Sequence, residues 1–405
     1  MSQAGERHAS WLELFFDLVV VVAVVQLAHR LAHPTWPDVA LFVLLYYAVW
    51  NAWTSLTLYS NVRGESAGVR NMLVGMAGIA VMAAAAPDVA HEMPTGGTHD
   101  VWFIGAYIIA RISASRSLQR AGTVLTAWPA AQLGAGLTPW IVSFWAEGTW
   151  RYVLWGLGVL LDLAFSILSG RRPDRLLAEV RERADRAEAR MLRRAATAAR
   201  RGGTAEVRPR PVPRVAPAVL ELAHLGERLG LFVIIVLGEA VMQVVLASSG
   251  HTWGPELGLA ALAGFGLICS LWWLTLQYGL SAVPGATESG LKPYVALPAH
   301  FVMTAGITAT AAGLGAVAAA PAEHLHGGVG WVLGGGLAVY FAASTAVGLA
   351  MRAERRWIWG WAVPSVLASL VVAGVSALLP GWLVVALLLI PALWLVAYRH
   401  RPAGV

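Results

Sequence analysis

Twelve stretches of roughly 20 mainly apolar residues run through this chain, and that is the length an α-helix needs to cross the hydrocarbon core of a bilayer. They cover residues 11–32, 38–60, 69–87, 100–119, 121–143, 150–169, 229–248, 255–278, 293–318, 328–350, 357–379 and 382–398. Backbone that leaves water must satisfy its own hydrogen bonds, which restricts such segments to helices or closed barrels. The chain is therefore expected to be an all-α polytopic membrane protein with about twelve transmembrane helices. Composition agrees and argues against a soluble globular enzyme, because 58% of the 405 residues are hydrophobic and only 13% are charged.

Pro34, Pro37, Pro87, Pro255, Pro284, Pro321 and Pro380 fall between the stretches, whereas Pro129, Pro139, Pro298, Pro364 and Pro391 lie inside them or near their ends, where a missing N–H kinks a helix. The first stretch carries Asp17 and no small-residue cleavage site, so it is read as a retained helix and not a signal peptide. The single cysteine, Cys269, lies in an apolar run; it allows no disulfide framework or Cys-based zinc site, and a packed core thiol is expected.

With twelve spans both termini share one side. Of the 29 Lys and Arg residues, 27 fall on that side and only Arg30 and Arg151 on the other. The positive-inside rule then places both termini, and the long central segment, in the cytoplasm. Trp11, Trp36, Trp102, Trp140, Trp145, Trp150, Trp253, Trp331, Trp357, Trp359 and Trp382 sit at span ends, where indole favours the headgroup level; Trp50, Trp53, Trp272 and Trp273 do not.

The central segment divides the chain into a six-helix half (1–169), a basic linker (170–216) and a second six-helix half (217–405). Between Arg171 and Arg214 there are 14 arginines against six acids. Residues 174–201 are expected to form a helix with Leu176, Val180, Ala184, Ala187, Met191 and Ala195 on one narrow stripe, after which Pro209, Pro211, Pro213 and Pro217 break it. This segment either lies on anionic lipid or is a solvated linker. A nucleic-acid partner is not expected, since no aromatic residue interleaves the arginines. Equal numbers of spans on each side of the linker suggest parallel repeats. Sequence traces point the same way: Glu13 and Glu227 each precede a Leu, Phe and Val/Ile run, and Trp53–Tyr59 shares its spacing with Trp272–Tyr278.

Several of these residues form a recognisable set: Glu13-Leu-Phe-Phe-Asp-Leu-Val19; Arg70 with Met76 and Ala83; Tyr107-x3-Arg111; and Glu227-Arg-x-Gly-Leu-Phe-x-Ile-Ile-Val-Leu-Gly-Glu239. On these the chain resembles the bacterial low temperature requirement protein A family over nearly its whole membrane part. Trp273 and His300 also fit the family's eighth and ninth helices, while Thr275 and Leu276 depart from its usual Tyr-Phe. The resemblance implies a multi-pass protein of the bacterial inner membrane, linked by name to growth in the cold, and supplies no mechanism. A fainter likeness is to the two-repeat endolysosomal potassium and proton channels, although Phe16-Asp17 lacks their serine and the second half has no matching Asp.

A charge at the centre of a span costs on the order of 2.5–3.5 kcal/mol even on insertion scales, so buried charges mark structure or function. Asp17, Asp162, Arg111, His300 and Glu239 lie roughly 9–15 Å from the predicted cytoplasmic edge at 1.5 Å per residue. Their common depth suggests a polar cavity facing the cytoplasm. Asp17 and Arg111 are at similar depth and are candidates for a buried ion pair. Glu239 is the sharpest candidate for a cation or proton site: Gln243 follows four residues on, on the same face, and no basic residue in its own span neutralises it. The alternative is a neutral acid bonded to a helix neighbour. Glu13 and Glu227 either coordinate an entering cation or cap helix N-termini. His300 is a charge-tuning group or a packing histidine, and Trp53, Tyr59, Trp272, Trp273 and Tyr278 are candidate pocket aromatics.

The expected function is a proton- or cation-coupled transporter or an ion-conducting protein. The alternative is a membrane protein without transport activity, acting in lipid handling, cold adaptation, or as a structural or sensory component. No nucleophile elbow, Walker loop or His-Glu-x-x-His run is present, so neither an enzyme nor a cofactor is expected, and no metal site is assigned. Glycines such as Gly75, Gly78, Gly306, Gly313, Gly330 and Gly334 read as close-packing sites between helices. A homodimer stays open.

Overall fold

The computed structural model describes residues 9–90, 98–120, 122–200, 215–249, 252–279, 282–283, 291–325 and 328–398. The linker prolines Pro209, Pro211 and Pro213, and Pro284, lie outside these residues. In chain order the helices are α1 (Trp11–His29), α2 (Trp36–Arg63), α3 (Val69–Ala85), α4 (Thr98–Arg120), α5 (Ala130–Leu133), α6 (Leu137–Val142), α7 (Thr149–Gly170), α8 (Pro173–Arg200), α9 (Leu222–Ser249), α10 (Pro255–Trp272), α11 (Pro293–Ala319), α12 (Val329–Ala350), α13 (Arg355–Trp357), α14 (Val363–Val375) and α15 (Gly381–Val396). Among the described residues, nine helical spans are long and apolar enough to cross a membrane: α1, α2, α3, α7, α9, α10, α11, α12 and the continuous run 355–378. The chain is thus an all-α polytopic membrane protein. α15 is apolar but shorter, and α4 is long but carries Asp100, Arg111, Arg116 and Arg120.

Local sequence sets several of the boundaries. Ser10 and Glu13 form a reciprocal capping box that opens α1, and Thr35 with Asp38 does the same for α2, where Pro37 adds a pre-set φ in the first turn. The stretch 121–143, expected as a single span, is not one helix. It runs through a two-residue strand (Thr123–Val124), α5 and α6, because Pro129 and Pro139 remove backbone donors and Gly134 turns at φ +59°. Irregular backbone in a membrane protein is tolerated where protein covers it, and Leu125, Trp128, Ala130, Ala131 and Gln132 are buried. Its strand pairs in parallel with Ala216–Pro217, at the end of the linker.

α8 is the amphipathic helix expected over 174–201, but of its apolar stripe Leu176 is buried, Val180 and Ala184 are half-buried, and Ala187 and Met191 are exposed. Cys269 is not a core thiol; it is exposed on α10. Trp140 and Trp357 are buried, unlike Trp11, Trp36, Trp102, Trp145, Trp150, Trp253, Trp331 and Trp359, which are exposed near helix ends as interfacial indoles should be.

α11 is the central helix, packed against α12 and α9 and touching α1, α2, α7 and α10. Its approach to α12 depends on glycine. A Cβ at Gly306 would stand 2.7 Å from the Gly336 carbonyl oxygen, and one at Gly336 would stand 2.8 Å from the Gly306 carbonyl oxygen. The two backbones are therefore in contact, which no larger residue permits. Gly306→Leu is expected to separate the helices and abolish a monodisperse species in size-exclusion chromatography. An unchanged elution profile would show that this contact does not hold the bundle.

Candidate functional site in the membrane interior

Three buried polar clusters hold the membrane-interior candidates, and they differ in how completely their charges are satisfied. The first joins α1 to α9. Arg228 donates from Nη1 to Asp17 Oδ2 and from Nη2 to Asp17 Oδ1, both at 2.8 Å, a bidentate pair with both side chains buried. Trp53 of α2 donates its indole N–H to Asp17 Oδ1 at 2.9 Å. The Trp53 ring stacks on His300 of α11 with centroids 6.0 Å apart and lies 4.5 Å from the Phe232 ring. His300 accepts from Trp50 Nε1 at Nδ1 (3.0 Å) and faces the Leu229 carbonyl with Nε2 (3.1 Å). An acceptor at one nitrogen and a donor at the other define the neutral imidazole. His300 therefore ties α11 to α2 and α9 and places no charge in the cluster.

The partner of Asp17 is thus Arg228 and not Arg111. Equal depth does not mean the same side of a bundle: Arg111, on α4, faces α7. It donates from Nη1 to Asp162 Oδ2 at 2.8 Å and to the Tyr107 hydroxyl at 2.7 Å, and from Nη2 to the Ala130 carbonyl. Asn51 of α2 donates from Nδ2 to Asp162 Oδ2 at 3.2 Å and to the Tyr107 hydroxyl at 3.1 Å. Asp162 Oδ1 accepts from the Gly136 N–H at 2.8 Å, and Ser166 Oγ accepts from the Ala130 N–H at 3.1 Å. Gln132 Oε1 accepts from the Leu125 N–H at 2.7 Å. This second cluster supplies the hydrogen bonds that the interrupted helix 121–143 cannot make for itself. Arg111 and Asp162 thereby hold a broken backbone in place.

The third cluster is the smallest. Glu239, 2% exposed, lies eleven residues beyond Arg228, on the same face of α9 and roughly 16 Å further along it. Gln243 donates from Nε2 to Glu239 Oε1 at 2.6 Å. Glu239 Oε2 is buried and has no hydrogen-bond partner among the described residues. Gln243 in turn lies against α11, where a Cβ at Gly315 would come within 3.2 Å of its Oε1. Asp17 and Asp162 each have an arginine; Glu239 has a single amide.

The remaining sequence candidates do not converge on these clusters. Glu13 closes the α1 capping box, accepting from Ser10 N at 2.8 Å and Ser10 Oγ at 2.9 Å, with His224 Nε2 3.5 Å away. Glu227 is on the exposed face of α9, beyond its first turn. Tyr59 accepts from the Gly68 N–H at 2.8 Å and so fixes the α2–α3 turn. Trp272 and Trp273 are exposed, and Tyr278 donates to the Tyr398 carbonyl at 2.7 Å, tying α10 to the end of α15. Trp53 and Trp272, which share their spacing to a tyrosine, therefore stand in different surroundings. The sequence marks neither Arg228 nor Asn51 as a site candidate, and marks Trp50 only as a tryptophan away from the span ends. The available signal for Arg228 was its helical register with Phe232 and Glu239, which puts a cation on a buried stripe.

The chain matches the family model of the bacterial low temperature requirement A protein (LtrA) over residues 8–397. The protein belongs to the LtrA family. It is also 25% identical over 332 residues to the uncharacterized protein RA0937 of Rhizobium meliloti (strain 1021), a match that spans 76% of this chain and 69% of the relative. No solved structure matches. The LtrA match covers α1 and α9, and with them the Asp17–Arg228 pair and Glu239. The chain is accordingly a multi-pass membrane protein of a bacterial family.

Proposed function

We propose that the protein is a proton- or cation-coupled transporter, or an ion-conducting protein, of the cytoplasmic membrane and not an enzyme. In this proposal it crosses the membrane twelve times as two six-helix parallel repeats with both termini in the cytoplasm, and Glu239 is the carboxylate that takes up the ion. The observation that carries the reading is the buried Oε2 of Glu239, which has no hydrogen-bond partner among the described residues while the buried aspartates Asp17, Asp100 and Asp162 are each paired with an arginine. A half-satisfied carboxylate inside a membrane protein is costly unless it exchanges a proton or meets a cation.

The position of the first cluster fits a gate. Asp17, Arg228, Trp53 and His300 link α1, α2, α9 and α11 between the N-terminal end of α9 and Glu239, and in this proposal an ion entering from the cytoplasm meets this layer before the carboxylate. Asp17 then has the role of a tie between α1 and α9 and not that of an ion carrier. The test is ion flux into proteoliposomes under imposed pH, K+ and Na+ gradients. Wild-type protein is expected to carry at least one of these ions, and folded Glu239→Gln protein to carry none. Wild-type liposomes that stay as tight as protein-free ones under every gradient would refute the proposal.

A further inference from the structure

We infer that the ion taken up at Glu239 is a proton and not an alkali metal cation. The inference rests on the transport reading above and narrows it. A bare Na+ or K+ ion exchanges its hydration shell for several oxygens, which membrane proteins supply as carbonyls of unwound backbone or as rings of carbonyls. A proton needs one oxygen with a free lone pair. The oxygens that the fold brings to Oε2 therefore distinguish the two ions.

The helices around Glu239 are held in a fixed register. Glu13 with His224 and Asp17 with Arg228 join α1 to α9 at the same offset of 211 positions, which sets Glu239 level with the buried Ala28. On α11, His300 faces the Leu229 carbonyl and a Cβ at Gly315 would stand 3.1 Å from Gln243 Cβ, so Thr310 and Ala311 are at the level of Glu239. On α2, the contacts of Asn61 with His224 and of Trp53 with Phe232 bring Tyr46 to that level. The hydroxyls here are turned to other helices. Thr310 Oγ1 donates to the Gly306 carbonyl at 2.9 Å and reaches the Leu333 carbonyl of α12 at 3.4 Å. Thr308 Oγ1 donates to the Thr304 carbonyl at 3.0 Å and meets the Tyr46 hydroxyl at 3.4 Å. Between Leu257 and Leu271 of α10, Ser270 is the one side chain that bears an oxygen, and it donates to the Gly266 carbonyl at 2.7 Å.

Backbone oxygens are engaged as well, since α1, α2, α9, α10 and α11 are unbroken helix at this level and their carbonyls serve their own ladders. What remains is the carboxylate and one amide. Gln243 turns an N–H toward Oε1 at 2.6 Å, which presents the positive end of its dipole where a cation would sit. With the amide turned over, a cation would meet the carboxylate and a single further side-chain oxygen. Among the described residues no group of three or more His, Cys, Asp and Glu side chains could hold a metal ion. Val236 and Ala240, which flank Glu239, are buried with it, so bulk water does not complete a coordination shell. Protonation asks for less. Oε2 gains one O–H bond, the carboxylate becomes a neutral acid, Oε1 keeps its bond from Gln243, and release reverses the step. The other titratable groups of the neighbouring helices are engaged or remote: Asp17, Arg228 and His300 form the layer roughly 16 Å away, Glu13 and His224 lie beyond it, Tyr46 is bonded to Thr308, and Cys269 is on the exposed side of α10.

The test has a labelling arm and a flux arm. Dicyclohexylcarbodiimide is apolar and reacts with a carboxyl group in its protonated form. Full-length wild-type protein in liposomes is treated with it over a series of pH values in sodium, potassium or choline chloride, and adducts are mapped by peptide mass spectrometry. An adduct is expected at Glu239 and none at Asp17, with a yield that falls several-fold as the medium is made alkaline and is the same in all three salts. In the flux arm, dye-reported proton movement under a pH gradient is expected, with uptake of radiolabelled sodium and rubidium no faster than into protein-free liposomes. Glu239→Gln, first shown to be monodisperse, is expected to lose the proton flux; the labelling arm does not depend on that variant. An adduct yield lowered by sodium or potassium at fixed pH, or sodium or rubidium uptake that Glu239→Gln abolishes, would overturn the inference and leave the transport reading standing. Absence of an adduct at Glu239 at every pH would overturn it as well. Liposomes tight to all three ions would remove the transport reading itself, and the inference with it.

Discussion

Arg228→Met is expected to cost on the order of 3–5 kcal/mol of stability, because it leaves the Asp17 carboxylate buried without its cation. The loss would appear as a large drop in the unfolding temperature of the purified protein, or as failure to obtain a single species. The pair joins residues 211 positions apart, on α1 and α9, so its loss also loosens the contact between the first helix and the middle of the chain. Asp17→Asn combined with Arg228→Met removes both charges and keeps an oxygen to accept the Trp53 N–H. The double variant is expected to recover most of the stability, since a buried pair replaced by neutral groups is often close to neutral in free energy. Two singles that are each as stable as wild type would show that the pair does not hold α1 against α9.

The second large effect is expected at Asp162. Its two oxygens accept from Arg111, Asn51 and the Gly136 N–H, so Asp162→Ala strands one buried cation and two buried donors together. Each unsatisfied buried polar group costs roughly 1–3 kcal/mol and a severed ion pair more, with partial overlap between the terms. The cavity left by the carboxylate adds to this, and the interrupted segment 121–143 loses an anchor. Asp162→Ala is therefore expected to yield no folded protein. Asp162→Asn, which keeps an acceptor for Gly136, is expected to give a weakened but recoverable one. Comparison of the two in size-exclusion chromatography checks this; a well-behaved alanine variant would mean that the broken segment is held by other contacts.

These two clusters also show where sequence reading succeeds and where it stops. Hydropathy located the helices because burial of an apolar run in lipid needs no tertiary information, and the nine apolar spans lie where the expected stretches do. It failed over 121–143, because a window average registers that residues are apolar without registering that Pro129, Gly134 and Pro139 interrupt the backbone ladder. Depth along a helix placed Asp17 beside Arg111, yet depth has no angular component, and the bundle turns Arg111 toward α7. Arg228 disappeared into the count of cytoplasmic arginines that sets orientation, although its register with Phe232 and Glu239 marks it as buried. The Glu239–Gln243 bond was legible, since residues four apart on a helix meet whatever the rest of the fold does. That Oε2 of the same carboxylate has no partner among the described residues is a property of α9 in its packed surroundings, and only the fold supplies it.

The central claim is a division of labour among buried carboxylates, in which Asp17 holds helices together and Glu239 takes up the ion. It is tested most directly by measuring ion flux side by side for Glu239→Gln and for the charge-free Asp17→Asn/Arg228→Met protein, each shown first to be folded and reconstituted at equal density. Flux abolished in Glu239→Gln and retained in the charge-free pair is the predicted result. Flux that survives in Glu239→Gln but vanishes in the folded charge-free protein would contradict it and move the ion site to Asp17.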